Sequence, residues 1–232
     1  MIDFHAHILP HVDDGSKNID ESLLMLKSLA EQNVKLVVAT PHFYANDESV
    51  DEFIERRNVS YELLKVKAPD APEIVLGAEV RYYDGISHLQ DLKKLRIEGT
   101  RFLLLEMPFN HWGEYEINEI IDIAHRGKIT LVLAHIERYL SLLNRETLIR
   151  LADNDVLFQV NASFFGGVLN GAKAIRMLND NQIHFIGSDC HNNANRAPNI
   201  HKAVQKIKRR IGEKAFVDYL NYEDELFKQN RI

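Results

Sequence analysis

One cysteine, Cys190, in 232 residues excludes an intrachain disulfide framework and fits a reducing compartment. Basic charge is also scarce: 28 Lys and Arg face 34 Asp and Glu, for a net charge of −6. That balance gives no support to a nucleic-acid binder, which needs a basic face. The one basic cluster, Lys202, Lys206, Lys208, Arg209 and Arg210, alternates with Ala203, Val204 and Ile207. It reads as a solvated helix face, with a docking surface for an acidic partner as the second reading. No apolar run approaches the ~18 residues of a membrane span. Met1-Ile2-Asp3-Phe4-His5 has neither the basic start nor the apolar core of a signal peptide. The expectation is a cytoplasmic protein with no direct membrane insertion, compatible with a membrane-bound partner. Linkers, repeats, low-complexity tracts and a glycine-rich dinucleotide fingerprint are all missing.

What is present is an ordinary globular composition, 45% hydrophobic and 27% charged, suited to one domain over residues 1–232. Short apolar runs alternate with amphipathic stretches. Strands are expected at Ile2–Ile8, Val34–Thr40, Glu73–Ala78, Arg101–Leu105, Ile129–Ala134, Val156–Val160 and His184–Gly187. Helices are expected at Glu21–Gln32, Val50–Lys67 (closed by Pro69 and Pro72), Glu114–Arg126, Arg145–Ala152, Val168–Leu178, Ile200–Ile211 and Lys214–Phe227. This alternation predicts an α/β fold with a parallel sheet, closed as a barrel rather than doubly wound.

The polar residues fall in a pattern. His5 and His7 lie on or after the first strand, His42 after the second and Glu79 after the third. Glu106, His135 and the pair Asp189 and His191 follow later strands. In an α/β barrel the carboxyl ends of strands converge on one face, so six strand ends aim His, Asp and Glu at one pocket. Clustered carboxylates repel and resist desolvation unless a cation joins them. Imidazole and carboxylate together suit Mn, Fe, Zn or Co, in one- or two-ion sites. On a strand, His5 and His7 point to the same side and can reach one ion.

Each residue alone has a plainer reading. His42 or His135 could be a satisfied polar side chain, and Glu79 or Glu106 a surface ion-pair partner. Their recurrence after successive strands favours a metal centre. His11, His88, His111, His125, His184 and His201 are out of register with it.

His5-Ala6-His7, Asp13-Asp14-Gly15, Pro41-His42, Gly77-Ala78-Glu79, Leu105-Glu106, Ala134-His135-Ile136-Glu137-Arg138-Tyr139 and Ser188-Asp189-Cys190-His191-Asn192 together resemble the polymerase-and-histidinol-phosphatase (PHP) superfamily. The pattern is most similar to the bacterial PHP-type tyrosine-protein phosphatases of capsule and exopolysaccharide operons. The resemblance implies a distorted (β/α)7 TIM-like barrel with two or three divalent ions, often manganese. The implied ligands are His5, His7, Asp14, His42, Glu79, Glu106, His135, Asp189 and His191, with Asp13 adjacent as the alternative to Asp14. The implied catalytic residues are Arg138 and Arg196 near the substrate phosphate, together with Glu106. The implied substrate is a phosphotyrosine protein, a membrane-associated bacterial tyrosine kinase.

Other readings share these residues. A small-molecule PHP phosphatase, such as one acting on histidinol phosphate, has the same site. An amidohydrolase also opens on His-x-His, but no lysine here sits at a strand end. A binding module would keep the fold without the metal. Cys190 and Arg196 are spaced as Cys-x5-Arg, the signature of cysteine-dependent phosphatases. The intervening segment has no glycine, and extended alternation turns Cys190 away from Asp189 and His191. Trp112, in the loop after Glu106, reads either as a wall of the pocket against an aromatic ring or as a packed loop residue. Phe43 and Tyr44 carry the same two readings, and Phe164-Phe165-Gly166-Gly167 is expected at the border of the same mouth.

Overall fold

The computed structural model describes residues 1–68 and 72–232. Among the described residues nine short strands, all paired in parallel, make two sheet sections of three and six strands: β1 (Ile2–Ala6), β2 (Leu36–Ala39), β3 (His42–Phe43), β4 (Glu73–Leu76), β5 (Glu79–Arg81), β6 (Phe102–Glu106), β7 (Thr130–Leu133), β8 (Leu157–Asn161) and β9 (Phe185–Gly187). Two of the expected strands are each continued, beyond a break, by a second short strand. Pro41, which has no N–H to give a ladder, separates β2 from β3. Gly77 separates β4 from β5, and a Cβ there would stand 3.0 Å from Ile97. The ladder still runs across both breaks, through Gly77 N–H to Ala39 O at 2.8 Å and Glu79 N–H to Pro41 O at 3.0 Å.

The pieces therefore form seven strand lines. The first and last are joined by the parallel bridge Ala6–Cys190, with Asp189 N–H donating to His5 O at 2.8 Å and His7 N–H to Cys190 O at 2.9 Å. This is a distorted (β/α)7 barrel. Helices α1 (Ile19–Glu31), α2 (Val50–Lys67), α3 (Glu114–Ala124), α4 (Arg145–Ala152), α5 (Leu169–Asn179) and α6 (Ile200–Gln229) surround it. After β5 two 3-10 turns, Ile86–His88 and Leu92–Leu95, stand where a helix would.

Local chemistry sets these boundaries. Ser49 and Glu52 form a reciprocal capping box at the start of α2. Its expected stop at Pro69 lies outside the described residues. Gly212, with φ at 91°, interrupts α6, as the two helices expected there require. Among the described residues no helix is long and apolar enough to cross a membrane.

Alternation along the strands sorts the core into two. Leu103 and Leu105 of β6 join the large outer cluster under the helices. Leu104 and Phe102 join a smaller inner cluster with Phe4, Val132, Ala134 and Phe185. Phe4 stacks on Phe185 with ring centres 3.8 Å apart, and Phe227 from α6 lies 5.8 Å from Phe102. The barrel interior is thus filled with side chains.

Candidate metal centre

The register of β1 against β2 shifts between Asp3 and Ala6. Phe4 faces the inner core, yet its neighbour His5 turns into the polar cluster. A bulge next to a site re-aims side chains in this way.

The ring hydrogen bonds set the direction of each imidazole. His7 Nδ1 lies 2.6 Å from Asp13 Oδ2; an ionised carboxylate only accepts, so Nδ1 carries the proton. His5 Nδ1 lies 3.2 Å from Gln159 Oε1, which also accepts from His135 N–H at 2.7 Å. Both Nε2 atoms then face inward, 3.0 Å apart. Glu79 Oε2 stands 3.1 Å from His5 Nε2, 3.2 Å from His7 Nε2 and 3.1 Å from His42 Nδ1. Glu79 Oε1 meets His135 Nε2 at 3.0 Å, and Glu106 Oε1 lies 3.4 Å from the same nitrogen. Asp189 Oδ1 approaches His5, His7 and His191 at 3.6–3.8 Å.

Such a convergence of acceptors demands positive charge. Burial alone would depress His7, but the Asp13 and Glu79 carboxylates outweigh it and push it up to about 10. Burial is likewise overcome at His135, raised to about 9 by Glu106 and Glu79. His191 goes the other way, down to about 3, through burial and the His7 charge. Burial would raise Glu79 and Asp189, yet the surrounding histidines hold both well below the usual carboxylate range.

Three groups of donor atoms adjoin. His7, Asp14, His42 and His191 form one, His5, His7 and Asp189 a second, and His42, Glu79 and Glu106 a third, each within 4.8 Å. His7 and His42 are shared, so three cations could occupy neighbouring positions. His42 Nδ1 and His191 Nε2 are buried and make no aligned hydrogen bond although Glu79 and Asp14 oxygens lie 3.1 and 3.4 Å away, as nitrogens poised to share a cation with those carboxylates would be. Asp13 and His135 are in none of the groups; His135 adjoins the third through Glu79 Oε1 at 3.0 Å, while Asp13 serves differently. It stands behind His7 and accepts the His42 N–H at 2.9 Å, an orienting role common around metal-binding histidines. All nine expected ligand positions and both arginines are brought together.

Arg138 Nη2 reaches Asp189 Oδ2 at 2.6 Å and Arg196 Nη2 reaches Asp189 Oδ1 at 2.7 Å. Both side chains remain about 40% exposed at the mouth. A cleft of about 520 Å³ lined by Asp14, His42, Tyr44, Asp47, Glu48 and Arg56 adjoins Arg196, whose Nη1 lies 3.9 Å from Asp14 Oδ2. His135 and Asp189 hold left-handed backbones, φ 32° and 52°. Non-glycine residues in that region cost about 1–3 kcal/mol each, a strain typical of functional sites.

A model of the capsular polysaccharide synthesis CpsB/CapC family matches residues 1–228. The chain belongs to the CpsB/CapC family. It is 31% identical to the tyrosine-protein phosphatase CpsB of Streptococcus pneumoniae over 230 residues, covering 92% of each protein. It is 29% identical to the tyrosine-protein phosphatase YwqE of Bacillus subtilis (strain 168) over 228 residues, 91% of this chain and 85% of YwqE. Crystal structures of YwqE and S. pneumoniae CpsB are described as those of unique metal-dependent tyrosine phosphatases. One superposes with a TM-score of 0.82 at 27% identity, over 100% of this chain and 96% of that one. A histidinol phosphate phosphatase of Lactococcus lactis, 14% identical with a TM-score of 0.55 over 90% of this chain and 92% of its own, shares the fold.

For this CpsB/CapC chain the cysteine alternative fails on geometry. Cys190 is fully buried, packed in the outer core, and burial pushes its thiol well above the ordinary range. Trp112 is also buried. It donates to Pro108 O at 3.2 Å and packs 4.8 Å from the Tyr139 ring, so it supports the loop and forms no pocket wall. Phe43, Phe164 and Phe165 are core residues, whereas Tyr44 is exposed with its ring 5.4 Å from His42.

Several contributors escape a strand-end pattern. Arg81, on β5, places Nη1 2.7 Å from Glu106 Oε2. Gln159 and Asn161, two apart on β8, reach His5 and Asp189. Period-two spacing could have marked that amide pair, but amides carry no metal-ligand signature.

Proposed function

We propose that this chain is a divalent-metal-dependent protein-tyrosine phosphatase. Its proposed ligands are His5, His7, Asp14, His42, Glu79, Glu106, His135, Asp189 and His191. The observation that carries this is the approach of three histidine nitrogens to Glu79 Oε2 beside the exposed Arg138 and Arg196. His and carboxylate donors, with Cys190 packed away, suit Mn, Fe, Zn or Co, and manganese is the ion proposed. When bound there, such ions lower the pKa of water and stabilise negative charge on a phosphoryl group.

The chain's own residues do the rest. Arg138 and Arg196 present planar forks that bind phosphate oxygens in bidentate fashion and offset their charge. Asp189 anchors both guanidinium groups before substrate arrives. Arg81 pins the Glu106 carboxylate, while Asp13 and Gln159 hold the His7 and His5 rings. A tyrosyl oxygen has a pKa near 10, so it leaves without a strong general acid.

The substrate is proposed to be a phosphotyrosine protein, a membrane-associated tyrosine kinase of capsule synthesis, met in the cytoplasm. Hydrolysis of a phosphotyrosine peptide, measured against a phosphoserine peptide and histidinol phosphate with and without chelator, tests the reading. A preference for phosphotyrosine that chelation abolishes is expected. Full activity after thorough metal removal overturns it, and preference for histidinol phosphate transfers the site to small molecules.

A further inference from the structure

The flank built from α5 and the first half of α6 has a charge composition unlike the rest of the chain. Stretches 156–179 and 190–212 hold eight Lys and Arg and no Asp or Glu, in a chain with 34 acidic residues and net charge −6. Two of the eight are engaged elsewhere: Arg196 with Asp189, and Lys208 with Glu213 at 2.9 Å. Lys206 crosses to α5, where its stem passes 2.5 Å from the place a Cβ on Gly171 would take and its ammonium donates to Gly167 O at 2.7 Å. Lys173, Arg176, Lys202 and Arg209 are exposed and, among the described residues, pair with no carboxylate.

At the edge of this flank α5 opens with two adjacent apolar side chains in solvent, Val168 at 76% and Leu169 at 84% exposure. They follow the 3-10 turn Ala162–Phe165, which leaves the carboxyl end of β8 directly after Asn161. Asn161 Nδ2 donates to Asp189 Oδ2 at 2.8 Å, so the apolar pair stands on the same face of the barrel as the metal centre.

We propose that this flank docks the protein on an anionic lipid surface. Val168 and Leu169 enter the interfacial layer, and Lys173, Lys202, Lys206 and Arg209 lie over the headgroups. A projecting apolar pair beside long cationic stems fits a lipid interface, where buried apolar area and attraction to anionic headgroups add. A folded acidic partner would instead require matching carboxylates at fixed positions, whereas a sheet of anionic headgroups meets spread cations in any register. The charge asymmetry also fixes orientation. The strongly acidic remainder of the chain is repelled from the same surface, so this flank and not another faces the bilayer. The inference is independent of the phosphatase reading.

Co-sedimentation of the full chain with phosphatidylcholine vesicles, with and without phosphatidylglycerol, tests it. Partition is expected only on the anionic vesicles, falling steeply as salt rises. The triple variant Lys173→Glu, Lys202→Glu, Arg209→Glu is expected to partition at least about tenfold less. The pair Val168→Ser, Leu169→Ser, which keeps every charge, is expected to weaken partition about tenfold through lost apolar insertion. Circular dichroism melts of both variants verify folding, and neither touches the metal centre. Equal partition on both vesicle types, insensitivity to either variant, or binding to immobilised polyglutamate with none to vesicles would each overturn the proposal.

Discussion

The two ends of the barrel solve opposite problems with the same strands. At the amino end, Phe4, Phe102, Phe185 and Phe227 stack edge and face in a closed apolar plug. At the carboxyl end, five histidines and four carboxylates crowd into a space where nitrogens go unpartnered and two backbones are left-handed. Packing at the plug lowers the free energy of the fold. Crowding at the centre raises it, and the cation it invites would offset that cost. Stability and chemistry are thus separated along the barrel axis, as carboxyl-end active sites allow.

That separation can be broken most directly at Glu79. Glu79→Gln should reduce phosphotyrosine hydrolysis by roughly 10³-fold or more and lower bound metal, read by elemental analysis, with the fold retained. Full metal content and activity in this variant would break the contrast. Phe227→Ala attacks the other end. A loss of about 3–5 kcal/mol in denaturant unfolding is expected, with kcat on a phosphotyrosine peptide preserved below the transition. If kcat falls in proportion to stability, the two ends are coupled.

Arg138→Lys keeps the charge but loses the planar fork. A drop in kcat/KM of about 10- to 100-fold with unchanged metal content is expected. An equal loss of metal would make Arg138 a support for Asp189 instead.

The plug end has its own titration. Burial raises Glu223 to about 7, against the partial relief given by the Ile2 N–H at 2.8 Å, the chain's amino terminus and the Tyr219 hydroxyl. An acid raised on folding contributes stability that is full below its unfolded value of about 4.5 and lost as pH rises through about 7. Glu223→Gln should flatten the fall in stability between pH 5 and 8 by on the order of 1–3 kcal/mol, measured by urea unfolding. An unchanged slope would assign that titration to Asp3, which burial raises to about 6. The smallest effect is expected for Cys190→Ser: kcat within about twofold, and a stability loss of about 1 kcal/mol from a buried hydroxyl. Complete loss of activity with metal still bound would make the thiol the nucleophile and sink the assignment of Cys190 to the core.

Much of this was legible in the chain. The spans of α2 and α4 are those read from the chain, and Gly212 breaks α6 where two helices were expected. Eight of the proposed ligand positions stood out as His, Asp and Glu at strand ends, and Asp14 was implied by the family resemblance. The broken second and third strand lines were not legible, because Pro41 and Gly77 look like ends of strands rather than interruptions within them. His42 and Glu79 consequently begin short strands of their own.

By itself the sequence determined a parallel α/β barrel with a metal-binding face, since strand periodicity and residue type are local properties. Tertiary structure alone decided that Asp14 lies within the donor groups while Asp13 orients His7, that Arg81 pins Glu106, and that Trp112 is core. Those outcomes depend on which strands lie side by side and on the direction each ring nitrogen takes from its second hydrogen bond, distances no linear spacing encodes.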